Sequence, residues 1–174
     1  ELEQILRLSQ PITRIEGNDI SNIYGQDAVG SMVVFIDGTP DKHEYRRFKI
    51  KTIEGANDPA MMNEVLSRRF YNTDWQLPEV ILIDGGKTQL GAALAAKGAF
   101  MIAVGKTLTP EMRRRIESLP IVSIAKREEE LYTPRRPEPI RLKSMPTSLL
   151  HLIQQIRDES HRFAIAYHRK VHRK

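Results

Sequence analysis

The chain has 174 residues, 40% of them hydrophobic and 28% charged, a globular composition long enough for one domain around one core. It contains no cysteine, which excludes cysteine nucleophiles, disulfides and cysteine zinc sites and suits a reducing, cytoplasmic setting. A net charge of +5 and a pI near 9.6 favour a polyanionic partner such as nucleic acid.

No window approaches the ~20 consecutive apolar residues that span a bilayer, and no signal peptide is visible, so a soluble protein with no membrane partner is expected. The chain starts at Glu1 without an initiator methionine and reads as a fragment. Residues 1–13 read as a linker or partial upstream segment ahead of a domain over 14–174.

Residues 15–22 and 31–37 read as strands, the second almost continuously apolar, as a strand covered on both faces would be. Gly25 and Gly30 punctuate their connection. Residues 37–43 carry turn chemistry, and 45–51 alternate Phe48 and Ile50 against Arg47, Lys49 and Lys51, as a half-solvated strand would. These three strands should form an antiparallel meander. Asp58 and Pro59 open a helix with Met62, Val65, Leu66 and Phe70 at helical spacing, Asp58 suiting the N-cap.

Residues 79–84 form a short buried strand ending at Asp84, and Gly85-Gly86 turns into a second helical stretch through Leu90 and Leu94. Residues 99–104 and 120–125 are further strand candidates, with a basic helix over 110–118 between them. The proline-rich stretch 133–146 should be an irregular excursion, a lid or a plain connection, with a hairpin around Ile140 and Leu142. From Thr147 onward, Leu149, Leu152, Ile153, Ile156, Phe163, Tyr167 and Val171 share one face of a long helix. The order implies an α/β fold: a mixed sheet with three antiparallel strands, then helix-strand units and a long C-terminal helix.

Asp19 lies on the side of its strand shared by Ile15 and Gly17, so its carboxylate points where a core would lie. Asp84 ends an apolar strand, where ligand sites of open α/β sheets collect. If the first and fourth strands are neighbours, the two carboxylates converge, and a divalent cation, Mg2+ or Mn2+, would relieve their repulsion. Each also has an ordinary reading, since aspartates routinely end strands and open turns.

His161 falls at the edge of the last helix's apolar face, in line with Arg157 and His168, and could face a site or solvent. Asp58 is fully explained as a helix cap on spacing alone. Lys87, at a helix start after two glycines, could hold a phosphate or be a solvated lysine. Gly86-Lys87-Thr88 and Gly105-Lys106-Thr107 imitate the tail of a phosphate-binding loop, but Ile81 and Phe100 stand where its first glycine is required, which excludes that class. Arg157, Arg162, Arg169, Lys170, Arg173 and Lys174, with His168 and His172, load the last helix with basic groups. With Arg46, Arg47 and Arg113–Arg115, they favour contact with a phosphate backbone over simple helix-dipole complementarity.

Four blocks, Ile15–Ser21 (IEGNDIS), Glu44–Phe48 (EYRRF), Ile81–Lys87 (ILIDGGK) and Arg157–Ala164 (RDESHRFA), resemble in order and spacing the C-terminal endonuclease domain of UvrC. The likeness runs from about Arg14 to Lys170. It implies an RNase H-like fold that makes the 5′ incision beside a lesion in nucleotide excision repair, on damaged duplex DNA and with a UvrB–DNA complex as partner of the full-length protein. It also implies an Asp-Asp-His triad holding a divalent metal, here Asp19, Asp84 and His161. The family's aspartate before its first long helix falls on Asp58, although the neighbours Ala56, Asn57 and Pro59 depart from the family pattern. Asn18 stands where the family often has an aromatic residue.

Lys87, Arg157 and Arg162 are then the candidates for binding phosphates. Two other readings are a non-catalytic DNA-binding or scaffold module of the same fold and another RNase H-like nuclease. No block resembles UvrC's N-terminal nuclease, its UvrB-binding segment or its helix-hairpin-helix pair.

Overall fold

The computed structural model describes residues 2–23, 26–51 and 57–172. The readings placed on Gly25, Ala56, Arg173 and Lys174, and on the side chains of Val171 and His172, lie outside the described residues.

Strands β1 (Arg14–Ile23) and β2 (Gln26–Ile36) pair antiparallel, with Asp19 opposite Ser31. Two further strands, β3 (Thr39–Pro40) and β4 (Arg46–Lys49), both pair antiparallel with β2, completing the meander that the alternation of Phe48 against its basic neighbours foretells. On the other edge of β1, β5 (Val80–Asp84) and β6 (Ile121–Ala125) add in parallel, then β7 (Glu130–Tyr132) and β8 (Ile140–Arg141) antiparallel. The path runs β3-β2-β1-β5-β6-β7-β8. The apolar run Val80–Ile83 of β5 and all of β6, including Ser123, are buried because helices cover both faces of the sheet centre.

Helix α1 (Leu2–Ile5) precedes the sheet, and Leu2 and Leu6 join the core. Helices α2 (Asp58–Tyr71) and α3 (Lys87–Val104) pack together on one face, with α4 (Pro110–Ser118) beside α3. The long α5 (Thr147–His172) lies across β1 and β2 on the other face. Two glycines allow the close approach on either side. A Cβ at Gly30 would stand 2.3 Å from Val65 Cγ2 of α2, and one at Gly17 would stand 2.5 Å from Ile156 Cγ2 of α5. Either would push its helix off the sheet.

Residues 99–104 are not a strand. They continue α3, because Leu90, Ala93, Ala96 and Phe100 keep helical spacing across Gly98 and bury one face against α2 and the sheet. With the turn that follows it, this helix (Lys87–Thr107) is long and apolar enough in composition to cross a bilayer, although Lys97 interrupts its apolar run.

The buried stripe of α5 also differs from expectation. It runs Leu149, Ile153, Ile156, Ser160, Ala164 and His168, while Phe163 and Tyr167 sit half-buried at its flank. The Arg47 guanidinium covers that flank, 3.7 Å from the Phe163 ring centre and 5.2 Å from that of Tyr167. His168 is therefore part of the packed face and not of an exposed basic tail.

On the α2 side, the pleat that turns Asp19 one way turns Arg14 and Glu16 the other. Both are buried, and Glu16 accepts from Arg69 Nε at 2.6 Å, from a terminal Arg69 nitrogen at 2.9 Å and from Arg14 Nε at 3.1 Å. This ion network replaces part of what would otherwise be apolar core between β1 and α2.

Candidate active site

The register of β1 on β5 brings the two predicted carboxylates together. The last paired residues are Asn18 and Ile83, so Asp19 and Asp84 are the next step on adjacent parallel strands. Parallel neighbours at one step share a side of the sheet, here the α5 side marked by Gly17 and Ile156. Asp19 is 7% exposed, and Asp84 is partly buried at the strand end.

Burial, and then the charge of Asp84, push the Asp19 carboxyl up to about 7; Asp58 adds to the rise, while the backbone amide of Ile20 and the charge of Lys126 oppose it. Asp84 is also raised, by burial first, against the lowering pull of Arg157, Lys126 and His161. The pair is thus only partly neutralised by the chain's own cations.

Helix α5 supplies the third predicted group. His161 Nδ1 lies 3.6 Å from Asp19 Oδ2, beyond hydrogen-bonding distance, with its side chain 58% exposed. One turn earlier, Arg157 shares with Asp84, Leu82 and Ile156 a small cavity of about 10 Å3. Its Nε is buried without a hydrogen-bond partner among the described residues, the nearest carboxylate being Asp158 at 3.6 Å. The buried Nε thus lacks a hydrogen bond at a position one turn from His161 and beside Asp84.

Lys126 is the residue that sequence reasoning missed. It follows β6 directly, and Ile124 pairs with Asp84, so Lys126 extends the same alternation one pleat past the carboxylates. A cation at the end of an apolar strand next to the Asp84 strand was the available signal.

Asp58 does not cap α2. Asn57 is the cap, its side-chain oxygen accepting the Ala60 amide at 3.1 Å, and Asp58 is the first helical residue, exposed and close enough for its charge to act on Asp19. Lys87 opens α3 behind Gly86, whose amide donates to the Gln89 side chain at 3.0 Å. It faces the groove beside the β7–β8 connection and is not among the groups that act most strongly on the two carboxylates. Arg162 is paired with Glu159, and its charge acts there and at Tyr45.

Asp19, Asp84 and His161 are hard oxygen and imidazole donors suited to Mg2+ or Mn2+, and the unrelieved carboxylate repulsion is what such a cation would remove. Among the described residues, no three His, Asp or Glu side chains are already drawn together into a closed metal-binding cluster. The donors fit a cation in kind and lie at one sheet end, with His161 the outermost. A cavity of about 620 Å3 at the other end of the parallel strands, lined by Thr13, Glu79 and Arg115 among others, contains none of them.

Comparison with known proteins agrees with this reading of the sheet. The family model described as the UvrC RNase H endonuclease domain matches residues 3–165. UvrABC system protein C of Dehalococcoides mccartyi is 45% identical over 182 residues, covering all of this chain and 28% of that protein. The protein of the same name from Dictyoglomus thermophilum is 46% identical over 176 residues, covering all of this chain and 27% of its own length. The chain thus spans little more than a quarter of these relatives. Among solved structures, Ciona intestinalis endonuclease V superposes at a TM-score of 0.41 with 14% identity, over 85% of this chain and 56% of that one, too loosely to bear on the assignment. By family match and by identity across its whole length, the chain belongs to the UvrC RNase H endonuclease domain family.

Proposed function

We propose that the chain is a divalent-metal-dependent DNA endonuclease module that hydrolyses a phosphodiester bond, making the 5′ incision beside a lesion in nucleotide excision repair. The observation that carries this reading is the register that sets Asp19 beside Asp84, with His161 3.6 Å from Asp19. Asp19, Asp84 and His161 would hold Mg2+ or Mn2+, and Asp58 stands by as a further carboxylate. The chemistry a divalent cation supplies at these donors is polarisation of the phosphoryl oxygens and neutralisation of the carboxylate pair.

The chain's own cations do the remaining work. Arg157, whose Nε beside Asp84 has no hydrogen-bond partner among the described residues and only a 3.6 Å pair with Asp158, binds and orients the phosphate. Lys126 offsets the charge that develops on it. The substrate on this reading is damaged duplex DNA in the cytoplasm, delivered by a UvrB–DNA complex that engages other parts of the longer protein. The test is nicking of supercoiled plasmid in Mn2+ by the wild type and by Asp84→Ala. The variant should lose nicking while still binding DNA, and equal nicking by both would remove the catalytic assignment.

A further inference from the structure

Two features that the carboxylate site leaves unused, Lys87 and the proline-rich excursion after β7, meet across one groove. It has a volume of about 400 Å3, with Lys87, Leu90 and Gly91 of α3 on one wall and Tyr132, Arg135 and Arg136 on the other. Lys87, Arg135 and Arg136 are exposed, and none of them enters an ion pair among the described residues. Three free cations around one concavity are the arrangement that a phosphate chain complements.

The loop that carries the arginines is built to hold them there. Pro134 and Pro137 bracket the pair, Pro137 restricting Arg136 to extended backbone, while the Thr133 hydroxyl accepts the Arg135 amide at 3.3 Å and its carbonyl the Arg136 amide at 3.4 Å. Tyr132 is anchored by its hydroxyl, which donates to Glu130 at 3.0 Å, leaving its ring as groove wall. The first turn of the 18-residue α3 adds its partial positive charge on the same side. Leu94 and the Tyr132 ring, both half-buried, supply an apolar surface of the kind on which a sugar or base rests. The groove is open at Gly91, where a Cβ would meet nothing within 4 Å.

We propose that this groove binds the DNA strand running away from the incision site, its phosphates held by Lys87, Arg135 and Arg136 and a nucleoside laid against Tyr132 and Leu94. The proposal rests on the nuclease reading above. It is sterically direct, because Lys87 is three residues from Asp84 and their backbones are at most roughly 11 Å apart. The excursion is thus half of a strand-guiding channel and not only a connection between β7 and α5.

The experiment is fluorescence anisotropy with a fluorescein-labelled single-stranded oligonucleotide in EDTA, across a salt series, run beside plasmid nicking in Mn2+. Two variants are compared with the wild type. Arg135→Gln/Arg136→Gln removes two phosphate contacts and should weaken binding on the order of tenfold near 0.1 M salt. It should also flatten the slope of log affinity against log salt by about 1.4.

Gly91→Phe fills the groove with every cation left in place, and should weaken binding with the salt slope unchanged. Both should melt as the wild type does, since the changed positions are exposed. Wild-type binding by both variants, with nicking intact, overturns the groove and leaves the nuclease reading standing. Loss of binding in the double variant with none in Gly91→Phe also overturns it, by placing the phosphates outside the groove. A wild type that neither binds the strand nor nicks the plasmid overturns both readings.

Discussion

Ser21 Oγ lies 2.8 Å from His168 Nε2, so β1, two residues past Asp19, is tied to α5, two turns past His161. The elements that carry opposite halves of the donor set are therefore joined at one end by this bond and near the middle by the Gly17–Ile156 contact. Ser21→Ala should cost about 1 kcal/mol of stability. Its larger effect should be on positioning: nicking in Mn2+ should slow several-fold through kcat, with KM for DNA unchanged. Steady-state kinetics decide it, and an unaltered kcat would mean that the packing at Gly17 sets the helix position alone.

Asp19 makes the metal-free fold sensitive to pH. Its carboxyl is pushed up to about 7, by burial before anything else, whereas in the unfolded chain it returns to the ordinary carboxylate range. Between those values the native state holds a proton that the unfolded state has released, so stability falls as pH rises and the penalty is complete above about pH 7. Asp84, raised in the same direction, adds to it.

In EDTA, the melting temperature should therefore drop from pH 5 to pH 8, and Asp19→Asn should flatten that drop and be the more stable protein at pH 8. Added Mn2+ should stabilise the wild type more at pH 8 than at pH 5. Thermal melts of both proteins across that range check this, and parallel curves would contradict it.

The division of labour at the start of α2 separates cleanly by mutation. Asn57→Ala removes the cap on the Ala60 amide and should cost about 1 kcal/mol, with little change in nicking per folded molecule. Asp58→Asn keeps the cap, and should leave stability within about 0.5 kcal/mol while changing the Mn2+ dependence of nicking. If Asp58→Asn is as inert in catalysis as Asn57→Ala, the charge of Asp58 plays no part at Asp19.

What was legible in the sequence was whatever depends on local pattern. Apolar runs gave β5 and β6, alternation gave β4, and helical spacing gave α2, α4 and α5. Asp19 and Asp84 could be named because a carboxylate at a core-facing or strand-end position violates that pattern. Their adjacency required the β1–β5 pairing, a long-range choice that periodicity does not encode. The signal at Lys126, a cation closing an apolar strand, gains its meaning only through the β5–β6 register that sets it near Asp84. The apolar run 99–104 fits a strand or a helix when read locally, and packing against α2 decides that the helix continues.

Glu16 has a structural role that the pattern did not announce. Glu16→Ala would leave Arg69 buried without its counter-charge and Arg14 with only the longer pair to Glu44 at 3.8 Å, and should destabilise the fold by roughly 3–5 kcal/mol. Urea unfolding measures this. A loss under 1 kcal/mol would show that water enters to solvate the arginines, which the backbone carbonyl of Gln76, accepting from Arg69 at 2.8 Å, only partly satisfies.

Lys126 offers the sharpest separation of catalysis from scaffolding. Its ammonium draws down the proton affinity of both Asp19 and Asp84, and by the same charge it opposes any cation that those carboxylates would hold. Removing it should therefore favour cation binding, so Lys126→Ala should bind Mn2+ at least as tightly as the wild type. If the same charge serves the phosphate during cleavage, nicking should nevertheless slow on the order of tenfold or more, and Lys126→Arg should restore most of the rate.

Affinity and rate would then move in opposite directions. Damage to the fold cannot produce that result, because it would weaken both together. Mn2+ titration followed by calorimetry, set beside nicking rates at saturating Mn2+, tests the pair of expectations. Weaker Mn2+ binding by Lys126→Ala would show that Lys126 supports the end of β6 and not the reaction.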